Sequence, residues 1–302
     1  FGLISILSFF NIIYSYYLNL YLNLDTYYYS FFISLIISIL FFKLQIMEIK
    51  QSIFDKILTV FFGYILIPLI LSIPFYFSIY NLTFLNSYFE SISGFTSTGF
   101  SIFDNIKDID QSLILWRSST QWIGGLYFLF SIIFLIDIYD ENFKKTLTNY
   151  ISFDSSEVLK QAIKIFLLYS FLTLVIFIIL NIFSIRTFNS LNLALTLISS
   201  GGFLPVNDLS SILKENSQII IFSFLMLLSF FSIFFIYNLT FFKKKNLNFF
   251  YEDLHLIIYY IFVVLIFFIF FSFNNNFTVN LLSLSSSISN IGFSFNVDQS
   301  NL

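Results

Sequence analysis

The chain has 302 residues, of which 58% are hydrophobic and 10% charged, with 47 Phe and a mean hydropathy of +0.89. A soluble domain carries about 25% charged residues, so this composition is that of an integral membrane protein. The net charge of -3 gives no sign of a nucleic-acid partner, and the lack of Cys excludes disulfides, thiolate metal sites and cysteine nucleophiles.

Apolar runs long enough to cross a hydrocarbon core of about 30 Å lie at roughly 2–20, 27–47, 57–79, 113–136, 163–184, 217–238 and 254–273. The first lacks the basic start and small-residue cleavage site of a secretory signal and reads as a span. Pro68 and Pro74 interrupt the third and predict a kink there. Ala occurs only at 162 and 194, so close helix packing falls to Gly and Ser, with Gly124-Gly125 and Ser118 as a packing face. Arg117, just inside the fourth span, is tolerable at that depth only with a partner. The preceding loop offers Asp104, Asp108 and Asp110; the competing reading is a charge facing a pore. His255 reads as an interfacial residue at the start of the seventh span, not as a ligand or proton relay.

Three segments too short to cross lie between spans three and four, between five and six, and after seven. The first ends Ser91-Ile92-Ser93-Gly94-Phe95-Thr96-Ser97-Thr98-Gly99-Phe100-Ser101, the second Leu197-Ile198-Ser199-Ser200-Gly201-Gly202-Phe203, and the third Ser287-Ile288-Ser289-Asn290-Ile291-Gly292-Phe293. Asp104, Asn207-Asp208 and Asp298 follow five or six residues after each Gly. Such a unit makes sense as a re-entrant half-helix, allowed at membrane depth only where protein buries it or water lines it. Backbone carbonyls after the helix can replace a cation's hydration shell, and the negative end of the helix dipole points the same way. Gly permits the φ values that such carbonyls need. Taken singly, Gly-Phe after a helix is an ordinary C-cap; three copies in the same setting favour the cation reading. The expected carbonyl donors are Ser97, Thr98 and Gly99, then Ser200, Gly201 and Gly202, then Asn290, Ile291 and Gly292. Glu90, placed at the head of the first half-helix, reads as a tuning group and not as a ligand.

Loops rich in Lys and Arg stay on the cytoplasmic side. The connections around 43–56, 137–164 and 239–253 hold Lys43, Lys50, Lys56, Lys144, Lys145, Lys160, Lys164, Lys243, Lys244 and Lys245, ten of the fourteen basic residues. All three re-entrant segments then open on the outer face. A cysteine placed at Lys144 or Lys244 is expected to react only with reagent that reaches the cytoplasm, and one at Asn207 only from outside. Labelling of Asn207 from the inside alone would invert this topology.

Gly99 and Gly202 are 103 residues apart, and Gly202 and Gly292 are 90 apart. A carbonyl cage around a monovalent cation needs a ring of about four such loops. Phe89-Glu90-Ser91-Ile92-Ser93-Gly94-Phe95-Thr96-Ser97-Thr98-Gly99, with Leu115-Trp116-Arg117-Ser118-Ser119-Thr120-Gln121-Trp122-Ile123-Gly124-Gly125, resembles the first pore unit of the Trk/Ktr/HKT potassium-transporter superfamily, TrkH type. The resemblance implies an all-α integral membrane fold of repeated span, pore-helix, span units around one pseudo-fourfold pore. Two leading helices would occupy 1–50, pore unit one 51–140, unit two 141–245 and the first half of unit three 246–302. It also implies that the rest of unit three and all of unit four, with the family's gating loop and last-unit Arg, lie beyond Leu302, or else that this chain alone does not conduct.

The implied activity is uptake of monovalent cations, potassium first, through a carbonyl-lined filter in the plasma (bacterial inner) membrane. No cofactor is implied; the potassium ion is the transported ligand. The implied partners are membrane lipid, a second copy in a homodimer and a cytoplasmic nucleotide-binding regulatory subunit. A sodium-selective or sodium-coupled member of the same superfamily is the alternative. A membrane enzyme acting on a lipid-linked substrate rests only on the pair Asp108 and Asp110, without basic companions for a phosphate. No Walker loop, dinucleotide fingerprint or zinc spacing occurs in the sequence.

Overall fold

The computed structural model of the chain describes residues 1–44, 53–135, 158–240, 255, 258–259, 261–263, 265–266 and 277–295. Among the described residues the regular structure is helical, with no strand. The helix α1 runs Gly2–Tyr17 and α2 runs Leu24–Leu44. At 16 residues, α1 is shorter than the expected span, because Asn19 takes φ 56° and turns the chain.

This first hairpin is inside out by the standards of a soluble protein. It buries Ser5, Ser8, Asn11 and Ser15, spaced three and four apart on α1, and exposes Ile6, Phe9, Phe10 and Ile13. Across the seam α2 buries Thr26, Ser30 and Ser34, and the Ser8 hydroxyl donates to Ser30 Oγ at 3.1 Å. Water would favour the reverse arrangement. Lipid solvates the apolar faces, and small polar residues then let helices approach and pair.

The third span is broken as its prolines predict. Helix α3 covers Ile53–Leu71, with Pro68 inside, and the short α4 covers Ile73–Tyr76, with Pro74 in its first turn. The Leu71 carbonyl at the break accepts from Trp116 Nε1 at 3.0 Å. Helix α6, Gln111–Phe134, α7, Val158–Ile182, and α9, Asn216–Thr240, are each long enough to cross. By length and apolarity together, the stretches Leu24–Lys43, Phe54–Tyr76 and Ala162–Ile182 qualify as membrane spans. The polar run Arg117, Ser118, Ser119, Thr120 and Gln121 lies within α6, and all of it is buried. The seventh expected span lies largely outside the described residues, as do Lys50, Lys144, Lys145, Lys243, Lys244, Lys245 and Asp298. His255 is helical and exposed.

Three short helices stand apart from the spans: α5, Phe84–Phe95, α8, Thr187–Ile198, and α10, Phe277–Ile288, each of 12 residues. At 1.5 Å per residue each is roughly 18 Å long, too short to cross. The Thr83 hydroxyl caps α5, accepting from Asn86 N at 3.3 Å.

The chain packs as two compact units, residues 1–138 with 191–207, and residues 139–190 with 208–302. In the first, α5 lies against both α3 and α6, and α8 from Leu191 onward with the loop after it belongs to the same unit. In the second, α9 packs against α7 and α10.

Candidate functional site: three glycine loops

Each short helix ends in the same way. Ser97 N donates to Gly94 O at 3.0 Å and Thr98 N to Ser93 O at 2.9 Å; Ser200 N to Leu197 O at 3.0 Å and Gly201 N to Thr196 O at 2.9 Å. In the third copy Asn290 N donates to Ser287 O at 3.3 Å and Ile291 N to Ser286 O at 3.2 Å. These are Schellman caps, with the left-handed residue at Ser97, Ser200 and Asn290, at φ 55°, 52° and 57°.

The helix is therefore already capped before its glycine is reached. Two residues further on, Gly99, Gly202 and Gly292 take φ 81°, 81° and 79°, and no helix end calls for it. The ordinary C-cap reading accounts for Ser97, Ser200 and Asn290 but leaves the glycines unexplained. A second residue of positive φ so soon after the first reverses the chain again and keeps the carbonyls between them off the helix ladder. The repeat continues past the glycine: 3-10 turns follow at Ile106–Asp108 and Leu209–Ser211, at the same distance from Gly99 and Gly202.

The side chains of the nine expected donors divide by burial. Thr98 is exposed, and its hydroxyl lies 2.7 Å from Thr96 Oγ1. Ile291 is 5% exposed, so its side chain is packed away behind the loop. Within the first unit the loops at Gly99 and Gly202 touch: a Cβ on Gly99 would sit 3.0 Å from Gly201 O and 3.3 Å from Gly202 Cα. In the second unit a Cβ on Gly292 would meet nothing within 4 Å.

Helix α6 holds the first two loops. Arg117 and Glu90 form a buried ion pair, Nε to Oε1 2.7 Å, with side chains 1% and 0% exposed. The pairing expected with Asp104, Asp108 or Asp110 does not form; Glu90 lies in the middle of α5, not at its head, and faces α6. Its carboxylate also accepts from Ile102 N at 2.9 Å and from Ser101 Oγ, and Ser101 Oγ in turn accepts from Arg117 Nη2 at 2.9 Å. The guanidinium lies 4.3 Å from the Phe203 ring centroid and 5.6 Å from that of Phe103, a geometry for cation–π attraction. Arg117 thus ties the loop after Gly99 to the loop after Gly202.

One turn on, Gln121 donates through Nε2 to the Gly201 carbonyl and accepts through Oε1 from Phe203 N at 3.3 Å. Ser118 donates to Asn192 Oδ1 of α8 at 2.7 Å. A Cβ on Gly124 would run into the Phe95 carbonyl, and one on Gly94 into Thr120, so α5 and α6 meet backbone to backbone as the packing reading of Gly124 requires. Gln121 was invisible as a functional residue in the sequence, since a Gln inside an amphipathic run carries no signal of a partner 80 residues away.

The outer connections are held separately. Asn207 Nδ2 donates to Asn105 Oδ1 at 2.6 Å, and Ile106 N donates to Asn207 Oδ1 at 2.7 Å. Asp108 accepts from Asn105 Nδ2 and Asp110 from Ser112 Oγ, so both acids on which the membrane-enzyme reading rested are engaged in folding the loop. Tyr80 Oη accepts from Asp110 N at 2.6 Å. Burial pushes the Tyr80 phenol above its usual range, with the Asp110 amide pulling the other way and the Asp110 and Asp108 charges adding to the rise. The rings after the glycines differ: Phe203 and Phe293 are buried, the latter stacked 5.9 Å from Phe222, whereas Phe100 is 69% exposed.

No family model matches the chain. Its backbone superposes on the crystal structure of the potassium transporter TrkH from Vibrio parahaemolyticus with a TM-score of 0.71, at 16% identity, over 97% of this chain and 63% of that one. In sequence it is 40% identical over 60 residues to the Trk system potassium uptake protein TrkI of Halomonas elongata, covering 20% of this chain and 11% of the relative. The chain has the fold of the Vibrio transporter and is similar in sequence, over a short stretch, to a Trk system protein. An uncharacterized cation transporter of Methanocaldococcus jannaschii is 27% identical to this chain over 157 residues, 47% of the chain and 31% of the relative. The chain thus spans less than two thirds of the length of these proteins. They are transporters, not enzymes.

Proposed function

We propose that this chain carries monovalent cations, potassium first, across the plasma (bacterial inner) membrane through a filter built from its glycine loops. The observation that carries the reading is the doubled turn in all three copies, a Schellman cap followed two residues later by a glycine at φ near 80°. That geometry supports a filter in which carbonyls at Ser97, Thr98 and Gly99, at Ser200, Gly201 and Gly202, and at Asn290, Ile291 and Gly292 face a dehydrating cation, the Gly201 oxygen with one lone pair already taken by Gln121 Nε2. The chemistry is exchange of water for backbone dipoles; no covalent step is involved. The names of the Halomonas and Vibrio proteins, both potassium transporters, support the choice of ion.

A carbonyl cage around a monovalent cation takes a ring of about four such loops. The 1–50 pair, the units at 51–140 and 141–245 and the half unit from 246 belong to that arrangement. A homodimer and a nucleotide-binding regulatory subunit on the Lys-bearing cytoplasmic face fit the family resemblance. The full-length protein, expressed in cells lacking their own potassium uptake, is expected to restore growth at low potassium and to take up Rb⁺ in preference to Na⁺. Uptake of Na⁺ alone would select the sodium-transporting alternative, and growth without uptake of either ion would overturn transport.

A further inference from the structure

We infer that Gln121 is a specificity-determining positioning residue, acting on the ion path through the Gly201 carbonyl; this rests on the filter reading above. Gln121 is fully buried in α6, and both ends of its amide are committed to one loop. Nε2 donates to Gly201 O and Oε1 accepts from Phe203 N at 3.3 Å. The two contacts flank Gly202 and pin the loop on both sides of its positive-φ residue.

The same Gly201 carbonyl stands 3.0 Å from where a Cβ of Gly99 would be, so it lies at the meeting of the first and second loops. A carbonyl oxygen has two lone pairs, and Gln121 occupies one of them. This has two effects of the same sign. The N–H draws density from the oxygen and lowers the field it presents, and weaker-field ligands favour the larger, more easily dehydrated K⁺ over Na⁺. The amide also fixes where that oxygen sits. A short side chain at 121 would leave Gly201 O bare and the loop free to close on a smaller ion. In the Gly99 loop the side-chain donor is Ser93 Oγ, which bonds Phe100 O, past the glycine, at 2.6 Å, whereas in the second loop Gln121 bonds the carbonyl before the glycine, so the two loops are tuned differently.

Gln121→Met keeps the length of the side chain but loses both contacts, and Gln121→Leu loses both and is shorter. In the full-length protein, Rb⁺ and Na⁺ uptake are measured together with the amount of protein in the membrane. One net hydrogen bond corresponds to a change of about twofold to tenfold. The Rb⁺ to Na⁺ ratio is therefore expected to fall by about that factor in both variants, while a side chain that only packs would lower protein amount and leave the ratio alone. An unchanged ratio at parental protein level overturns the inference. Should neither variant reach the membrane, Gln121→Asn, uncharged and one methylene shorter, supplies the ratio instead. Gly202→Ser separates the two ideas: a ratio that moves with Gly202→Ser but not with the Gln121 variants refutes the role of Gln121 alone, whereas a ratio that moves with neither refutes the filter itself.

Discussion

Arg117→Ala is expected to destabilise the protein by about 3–5 kcal/mol, the usual result of removing one partner from a buried ion pair. Glu90, 0% exposed, would be left with only Ser101 Oγ and Ile102 N as donors. The loss spreads further, because the guanidinium also bonds Ser101 and lies over the rings of Phe103 and Phe203. Membrane accumulation and thermal unfolding of the detergent-purified protein would both report it. Arg117→Lys is expected to rescue only partly, since an ammonium cannot bond Glu90 and Ser101 in one plane while lying flat on Phe203. The double change Glu90→Gln with Arg117→Met should recover more than either single change, as it leaves no unpaired buried charge. A Tm equal to the parent's in Arg117→Ala would mean that the pair does not hold the two loops.

Gly99→Ser is expected to have the largest effect on ion choice. A Cβ at positive φ costs roughly 1–2 kcal/mol in backbone strain alone. At Gly99 there is also a steric term, since the new atom would stand 3.0 Å from Gly201 O and 3.3 Å from Gly202 Cα. The substitution therefore forces the first loop away from the second and disturbs two sets of carbonyls at once. Gly292→Ser carries the strain without the clash, because the space around that Cβ is open within 4 Å, and is expected to have the milder effect. A preference of tenfold is only about 1.4 kcal/mol, so strain of this size can erase selectivity before it unfolds the protein.

The repeat was legible because its chemistry is local. A short run of Ser and Leu or Ile, a Gly and a Phe recur in three places, and each folds into a 12-residue helix with the same turn. The double positive φ was not legible: Ser97 and Ser200 are not residues that announce a left-handed conformation, and only Asn290 is of a type that visits it readily. The partner of Arg117 was missed for a different reason. Three Asp residues in the adjoining loop were nearer in sequence, but Asp108 and Asp110 are engaged by Asn105 and Ser112. Glu90, 27 residues away, reaches Arg117 because α5 folds back against α6. The length of α1 was overestimated because Asn19 reverses the chain while the residues around it remain apolar. Hydropathy does not see a turn.

The most direct test of the filter is the Rb⁺ to Na⁺ uptake ratio of Gly99→Ser and Gly202→Ser in the full-length protein, measured in cells lacking their own potassium uptake and normalised to the amount in the membrane. A cation filter made of these loops predicts that both variants reach the membrane and that the ratio falls about tenfold or more. If both variants kept the parental ratio, the carbonyls around Gly99 and Gly202 would not contact the ion, and the paired turns would be structural closures of three short helices.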